Sequence, residues 1–161
     1  MEFWHFGVPS VSGVERMAQT CEELNFDGLT STDSQNLSNE IYIALTLAAK
    51  ATNVLKLGPT VTNPITRQAA VTASAAATLQ EASYGRMVIS IGRGDSSVFN
   101  IGVKPAKPDL FRKYVEDIQS YLSRDVLNKN GCDSQLRWLV GSKLPKVLLD
   151  VVATGPKIIA M

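Results

Sequence analysis

The sequence predicts an α/β fold built from parallel strand–helix repeats, and three observations predict it. Short apolar runs alternate with amphipathic helical windows, strand then helix four times, followed by one more strand. The third to fifth runs are almost continuously apolar, as strands are when helices cover one face and a core fills the other. The loops after the strands are rich in Gly, Ser, Thr and Asp, whereas the opposite connections are short turns. Two architectures fit: an open doubly wound sheet, or part of a (β/α)8 barrel. A full barrel takes about 250 residues, so a chain of 161 residues supplies between half and two thirds of one.

Residues 2–8 are rich in aromatic and β-branched side chains and read as the first strand, ended by Pro9. Ser12-Gly13-Val14-Glu15 matches a capping box, in which the Ser12 hydroxyl and the Glu15 carboxylate satisfy free N–H groups at a helix start. Val14, Met17, Ala18, Cys21 and Leu24 then follow at helical spacing, and Asn25 with Asp27-Gly28 stops the helix. The second strand covers 28–31, and a polar loop runs over 32–39. Ile41, Ala44, Leu45 and Ala48 mark the next helical face. The third strand covers 54–57 and leads into Gly58-Pro59-Thr60-Val61-Thr62-Asn63-Pro64. A third helix over 66–82 contains seven alanines, whose small side chains let it sit close to a sheet or another helix.

Residues 87–91 read as the fourth strand, and the loop Gly92-Arg93-Gly94-Asp95-Ser96-Ser97 follows its carboxyl end. Asp109 is placed to cap a fourth helix with Leu110, Tyr114, Val115, Ile118 and Leu122 on its inner face. Residues 123–144 read as a polar excursion broken by Gly131 and Gly141. The fifth strand covers 147–153, and Thr154-Gly155-Pro156-Lys157 turns into a helix that has barely begun at Met161.

Composition narrows the function classes. Hydrophobic residues make up 45% and charged residues 19%, with a net charge of +1, so no single-sign field favours nucleic acid or an anionic membrane as partner. The first ten residues lack the apolar core of a secretory signal, and no apolar run is long enough to span a bilayer, so a cytoplasmic location is expected. Two cysteines and one histidine are too few for a zinc site of Cys and His ligands, and no metal is expected. His5, among Phe3, Trp4 and Phe6, reads as a packing residue, and no Ser-His-Asp or Cys-His set can be assembled around it.

Ligands in both architectures bind at the carboxyl ends of the strands. Those ends carry Asp33 with Ser34 and Gln35, then 60–63, 92–97 and 154–157. Asp33 is the candidate catalytic residue, as a general acid or base or as a hydrogen-bond partner of a ring cofactor; the competing reading is a turn aspartate. The Gly92–Gly94 loop is not a dinucleotide fingerprint, because Ser97 stands where the third Gly belongs, and there is no Walker A sequence. The loop reads either as a turn or as backbone N–H groups and Ser96 facing an anionic group. Arg67, Arg86 and Arg93 read as solvated charges or local salt bridges rather than as phosphate ligands.

Three segments in register carry a resemblance. Leu57-Gly58-Pro59-Thr60-Val61-Thr62-Asn63-Pro64, Ser90-Ile91-Gly92-Arg93-Gly94-Asp95-Ser96-Ser97 and Val151-Val152-Ala153-Thr154-Gly155-Pro156-Lys157 resemble the third-, fourth- and fifth-strand segments of the luciferase-like flavin- or coenzyme F420-dependent oxidoreductases. The likeness is nearest to the branch that resembles methylenetetrahydromethanopterin reductase. It implies an incomplete TIM-type barrel of about five strands, with residues 1–161 as one domain forming the N-terminal portion of a (β/α)8 barrel. It also implies hydride transfer or monooxygenation with FMN or coenzyme F420 on a small-molecule substrate. A bulge in the third-strand segment, often with a non-proline cis peptide, would place Thr60, Val61 and Thr62 near the cofactor. Gly92, Gly94, Asp95 and Ser96, with Thr154, Gly155 and Pro156, would meet its polar chain and phosphate. Asp33 matches the acidic position after the second strand, where Ser34 stands in place of the histidine of many F420 enzymes. The unfinished barrel leaves three functional readings: an oxidoreductase, a non-catalytic flavin-binding or assembly module of the same descent, and an open-sheet domain whose glycine loops are turns only. It also predicts self-association, as a homodimer, through the open side of the barrel.

Overall fold

The computed structural model of the chain describes residues 1–8 and 10–160. Five parallel strands run β1 (Trp4–Gly7), β2 (Gly28–Ser31), β3 (Lys56–Pro59), β4 (Val88–Ile91) and, after a two-stranded antiparallel hairpin of β5 (Leu127–Lys129) and β6 (Cys132–Ser134), β7 (Leu148–Val151). Their spatial order follows the chain. β1 pairs with β2, β2 with β3, and β4 with β7, all in parallel. The bridges Leu57↔Met87 and Thr62↔Ile91 join β3 to β4. The result is an arc of five parallel strands, a barrel wall that does not close. Between the two bridges β3 and β4 pass so closely that a Cβ on Gly58 would lie 1.9 Å from the Val88 carbonyl oxygen, so only glycine fits there.

Helices α1 (Val14–Glu23), α2 (Ile41–Ala51), α3 (Ala69–Ala82) and α5 (Pro108–Leu122) cover the outer face, with a short α4 (Asp95–Phe99) after β4 and α6 (Pro156–Ile159) after β7. The core lies between strands and helices. Leu29, Leu57 and Ile89 from the strands meet Leu45, Ala48, Ala73, Ala76, Phe111 and Ile118 from the helices, all fully buried. Burial of each large aliphatic side chain stabilises the fold by about 1.5–3 kcal/mol. The alternate strand residues face the inside of the arc, where Trp4, Thr30, Gly58, Thr60, Val88, Ser90 and Asp150 line a small pocket of about 210 Å³.

Several local expectations need correction. The Ser12/Glu15 capping box is not formed: Gly13 is the N-cap and no side chain caps α1. The Ser10 carbonyl accepts from the Gly13 and Val14 N–H groups, and the Ser12 hydroxyl pairs with that of Ser10. Leu24 caps the carboxyl end of α1 and is exposed rather than on its inner face. α5 begins at Pro108, whose fixed φ suits the first helical position, so Asp109 sits inside the first turn and is not the cap. Phe111 takes the buried place expected of Leu110, which is exposed. β3 begins at Lys56 and includes Gly58 and Pro59, while Val54 is exposed. The loop after β4 contains α4, and the polar excursion contains the β5–β6 hairpin. Its turn is Asn130-Gly131, both with positive φ (54° and 81°), the pairing that a tight hairpin favours. The expected end of the first strand at Pro9 lies outside the described residues, as does Met161.

Candidate active site at the carboxyl ends of the strands

The site is built around a bulge that continues β3. Thr60 donates its N–H back to the Ser31 carbonyl on β2 (2.7 Å), while Thr62 donates to Ser90 on β4 (3.0 Å) and accepts from Gly92 (2.9 Å). Between these anchors the Thr60–Val61 peptide is cis. The Thr60 hydroxyl pairs with that of Thr30, which also donates to the Gly58 carbonyl. The segment is thus held on both sides by neighbouring strands, with Val61 at its tip.

The β4 loop is shaped to this bulge. A Cβ on Gly92 would lie 2.5 Å from Val61 Cγ2, and one on Gly94 would lie 2.8 Å from the Asn63 side chain. Gly94 also has φ +86°, which favours glycine. Asn63 is fully buried and joins the loops. Its Oδ1 accepts from the Ile65 and Thr66 N–H groups (3.0 Å each), and its Nδ2 donates to Ser97 Oγ on α4 (3.2 Å).

A cleft of about 280 Å³ opens over these loops, with walls from the ends of β1, β2, β3, β4 and β7. Asp33, Thr60, Val61, Gly92, Gly94, Asp95, Ser96 and Thr154 all line it. Three of the candidate residues do not. Thr62 is fully buried beneath the bulge, Gly155 is the N-cap of α6 with φ +82°, and Pro156 opens that helix. Sequence reasoning did not assign Phe6, Thr32, Val152 or Ile158 to the wall, where they lie beside Ser34, Arg93 and Ser97. Phe6 could have been found from strand alternation, since it shares the inner face of β1 with Trp4. Arg93 donates through Nε to the Ala106 carbonyl (2.7 Å).

Behind the cleft, Asp33 meets a partner remote in sequence. Arg67 Nε donates to Asp33 Oδ2 (3.0 Å) and Arg67 Nη2 to Oδ1 (3.2 Å); Gln35 Nε2 also donates to Oδ1 (2.7 Å). Arg67 Nη2 further pairs with Glu40, the N-cap of α2, whose carboxylate accepts from the Ile43 N–H (2.9 Å). The guanidinium lies 4.9 Å from the centre of the Tyr42 ring. Burial opposes the charge on Arg67, but the hydrogen bonds and charges of Asp33 and Glu40 outweigh it and hold the group more firmly protonated than usual. Burial pushes the Tyr42 phenol well above its usual range, and the Tyr114 phenol, which pairs with Thr72 at 2.6 Å, is pushed up to about 12. The hydroxyls of Tyr42, Thr62 and Thr66 and the Gln35 carbonyl oxygen are buried there without a protein partner.

This geometry has relatives. The family model for luciferase-like monooxygenases matches residues 5–161. The chain belongs to that family. It is 32% identical over 157 residues to the 5,10-methylenetetrahydromethanopterin reductase of Archaeoglobus fulgidus, covering 92% of this chain and 45% of that protein. To the reductase of the same name from Methanolobus tindarius it is 34% identical over 128 residues, or 77% of this chain and 39% of the relative. The chain therefore spans less than half the length of these relatives. The coenzyme F420-dependent tetrahydromethanopterin reductase of Methanopyrus kandleri shares the fold at a TM-score of 0.78, with 23% identity over 98% of this chain and 52% of that one. The FMN-bound oxygenating constituent of 3,6-diketocamphane monooxygenase from Pseudomonas putida overlays at 0.67, with 16% identity over 83% of this chain and 43% of that one. The expected fold class and family therefore hold. Among the described residues no helix is long and apolar enough to cross a membrane, and no cluster of His, Cys, Asp and Glu could hold a metal ion.

Proposed function

We propose that this chain carries the cofactor half of a flavin- or coenzyme F420-dependent oxidoreductase that performs hydride transfer or monooxygenation on a small-molecule substrate. The observation that carries the reading is the meeting, in one cleft, of the β2 tip, the Thr60–Val61 bulge, the Gly92–Gly94 loop and the β7 tip. The residues suit a flat ring with a polar tail. Val61 offers an apolar face, the glycines bring backbone close, and the hydroxyls of Thr60, Ser96 and Thr154 stand on the same cleft. A bound flavin or deazaflavin ring supplies the hydride-transfer chemistry. This chain's part is to seat the ring against Val61, offer Asp33 as a hydrogen-bond partner, and exclude water with Phe6, Val152 and Ile158. One relative is named as coenzyme F420-dependent and another holds FMN, and the reading keeps both cofactors.

A second reading is a non-catalytic flavin-binding or assembly module. It is favoured by Leu148 and Val151 of the end strand β7, apolar side chains that are exposed and that a second copy of the chain would cover. Fluorescence titration of the purified chain with F420 and with FMN tests both readings. Binding of either at micromolar levels supports a cofactor site, and turnover with reduced F420 or NAD(P)H separates the enzyme from the module. Failure of both cofactors to bind would sink the two together. Sedimentation velocity decides self-association.

A further inference from the structure

Arg67 lies outside the cleft wall yet is paired with a side chain that forms it. Its fork meets both oxygens of Asp33, its outer nitrogen reaches Glu40 at the start of α2, and its face rests on Tyr42. Arg67 and Asp33 are both largely buried, with side-chain exposures of 17% and 2%. A carboxylate offers about four acceptor positions, and three donors already occupy Asp33: Arg67 Nε, Arg67 Nη2 and Gln35 Nε2. We propose that Arg67 is a positioning residue that fixes Asp33 as a ready-oriented hydrogen-bond acceptor in the cleft, so that the ligand group docking against it is an N–H or O–H donor. The pair also ties three chain segments together, the loop after β2, the start of α2 and the loop after β3. Holding the acceptor in place before binding removes an ordering cost from the binding step.

The inference rests on the cleft being a cofactor site, and the test separates the two. Arg67→Ala, Arg67→Lys, Asp33→Asn and the double variant Arg67→Ala/Asp33→Asn are titrated with F420 and FMN, with and without added methylguanidinium. Loss of a charge-held acceptor predicts that Arg67→Ala binds about tenfold more weakly. Arg67→Lys should recover part of the loss, because a lysine gives a point charge without the fork. Methylguanidinium should restore Arg67→Ala and leave the double variant unchanged. Hydrogen exchange supplies a readout that needs no cofactor: amides of residues 32–38 should exchange faster in Arg67→Ala, while those of β3 and β4 do not. Wild-type affinity in Arg67→Ala, or weakened binding that methylguanidinium cannot restore, would overturn the role of Arg67. So would unchanged exchange at 32–38. If the wild-type chain binds neither cofactor, the proposed function fails, and exchange alone still decides whether Arg67 holds the loop. Should Arg67→Ala not fold, the Arg67→Lys and Asp33→Asn pair is used, whose combined effect must fall well short of the sum of the single losses.

Discussion

Two arginines hold the two ends of the strand arc in different ways. At the amino end Arg86 donates to the carbonyls of Ser83, Ala49, Thr52 and Leu55 and to the Thr52 hydroxyl, at 2.7–3.0 Å. Close by, the Glu22 carboxylate accepts from the successive N–H groups of Asn53, Val54 and Leu55. Loop backbone at this end is met by side chains that were placed for it. At the carboxyl end Arg67 meets other side chains instead, and several buried oxygens around it find no protein partner. The amino end is organised for stability. The carboxyl end is held by side-chain pairs behind the cleft, and its loops turn their other groups, Asp33 among them, to the cleft itself.

The contrast can be broken by substitutions, and the largest effect belongs to Arg86. Arg86→Met strands several carbonyls, and at about 1–3 kcal/mol for each buried group left unpaired the loss in urea unfolding should reach about 3 kcal/mol or more. An Arg86→Met protein as stable as the wild type would remove the distinction between the two ends. Next comes Gly94→Ala at the carboxyl end. The positive φ costs about 1–2 kcal/mol, and the new methyl meets Asn63, so both thermal stability and cofactor affinity should fall. Stability falling alone would detach this loop from ligand binding.

Glu22→Gln should cost about 1–2 kcal/mol, because a charged acceptor of three N–H groups becomes a neutral one. The pH dependence has a definite sign. Burial raises the Glu22 pKa, but the backbone hydrogen bonds outweigh it and hold the group below its usual 4.5. Its contribution is therefore present above that usual value and disappears as pH falls through the lower, folded-state value. Acid titration of stability should show this loss in the wild type and not in Glu22→Gln. The smallest effect is expected at Tyr42→Phe, which deletes a buried hydroxyl with no protein partner. Stability should change by less than about 1 kcal/mol or rise slightly. A large loss, measured by denaturant unfolding, would show that the hydroxyl is satisfied in the folded protein.

Much of the fold was legible in the chain, because alternation and helical spacing are local signals. Each of the five parallel strands lies within its expected run or within two residues of it, and the alanine-rich α3 was plain from composition. The misreadings were local competitions. Ser10, rather than Ser12, receives the first N–H groups of α1, and Pro108 opens α5 one residue ahead of Asp109. The hairpin at Asn130-Gly131 had a legible turn signal, obscured by the polar residues around it.

By itself the sequence determined which residues stand at the carboxyl ends of parallel strands, since strand order and the right-handed crossover leave little choice. It could not decide which of them face one another. Arg67 lies 34 residues after Asp33, and Asn63 lies 34 before Ser97. Their pairing depends on the register of β2, β3 and β4, a distance relation that no local pattern encodes. The same holds for the glycines: Gly92 and Gly94 are ordinary turn residues until Val61 and Asn63 are packed against them. Thr62 reads like its neighbours until the bulge turns it inward, away from the cleft.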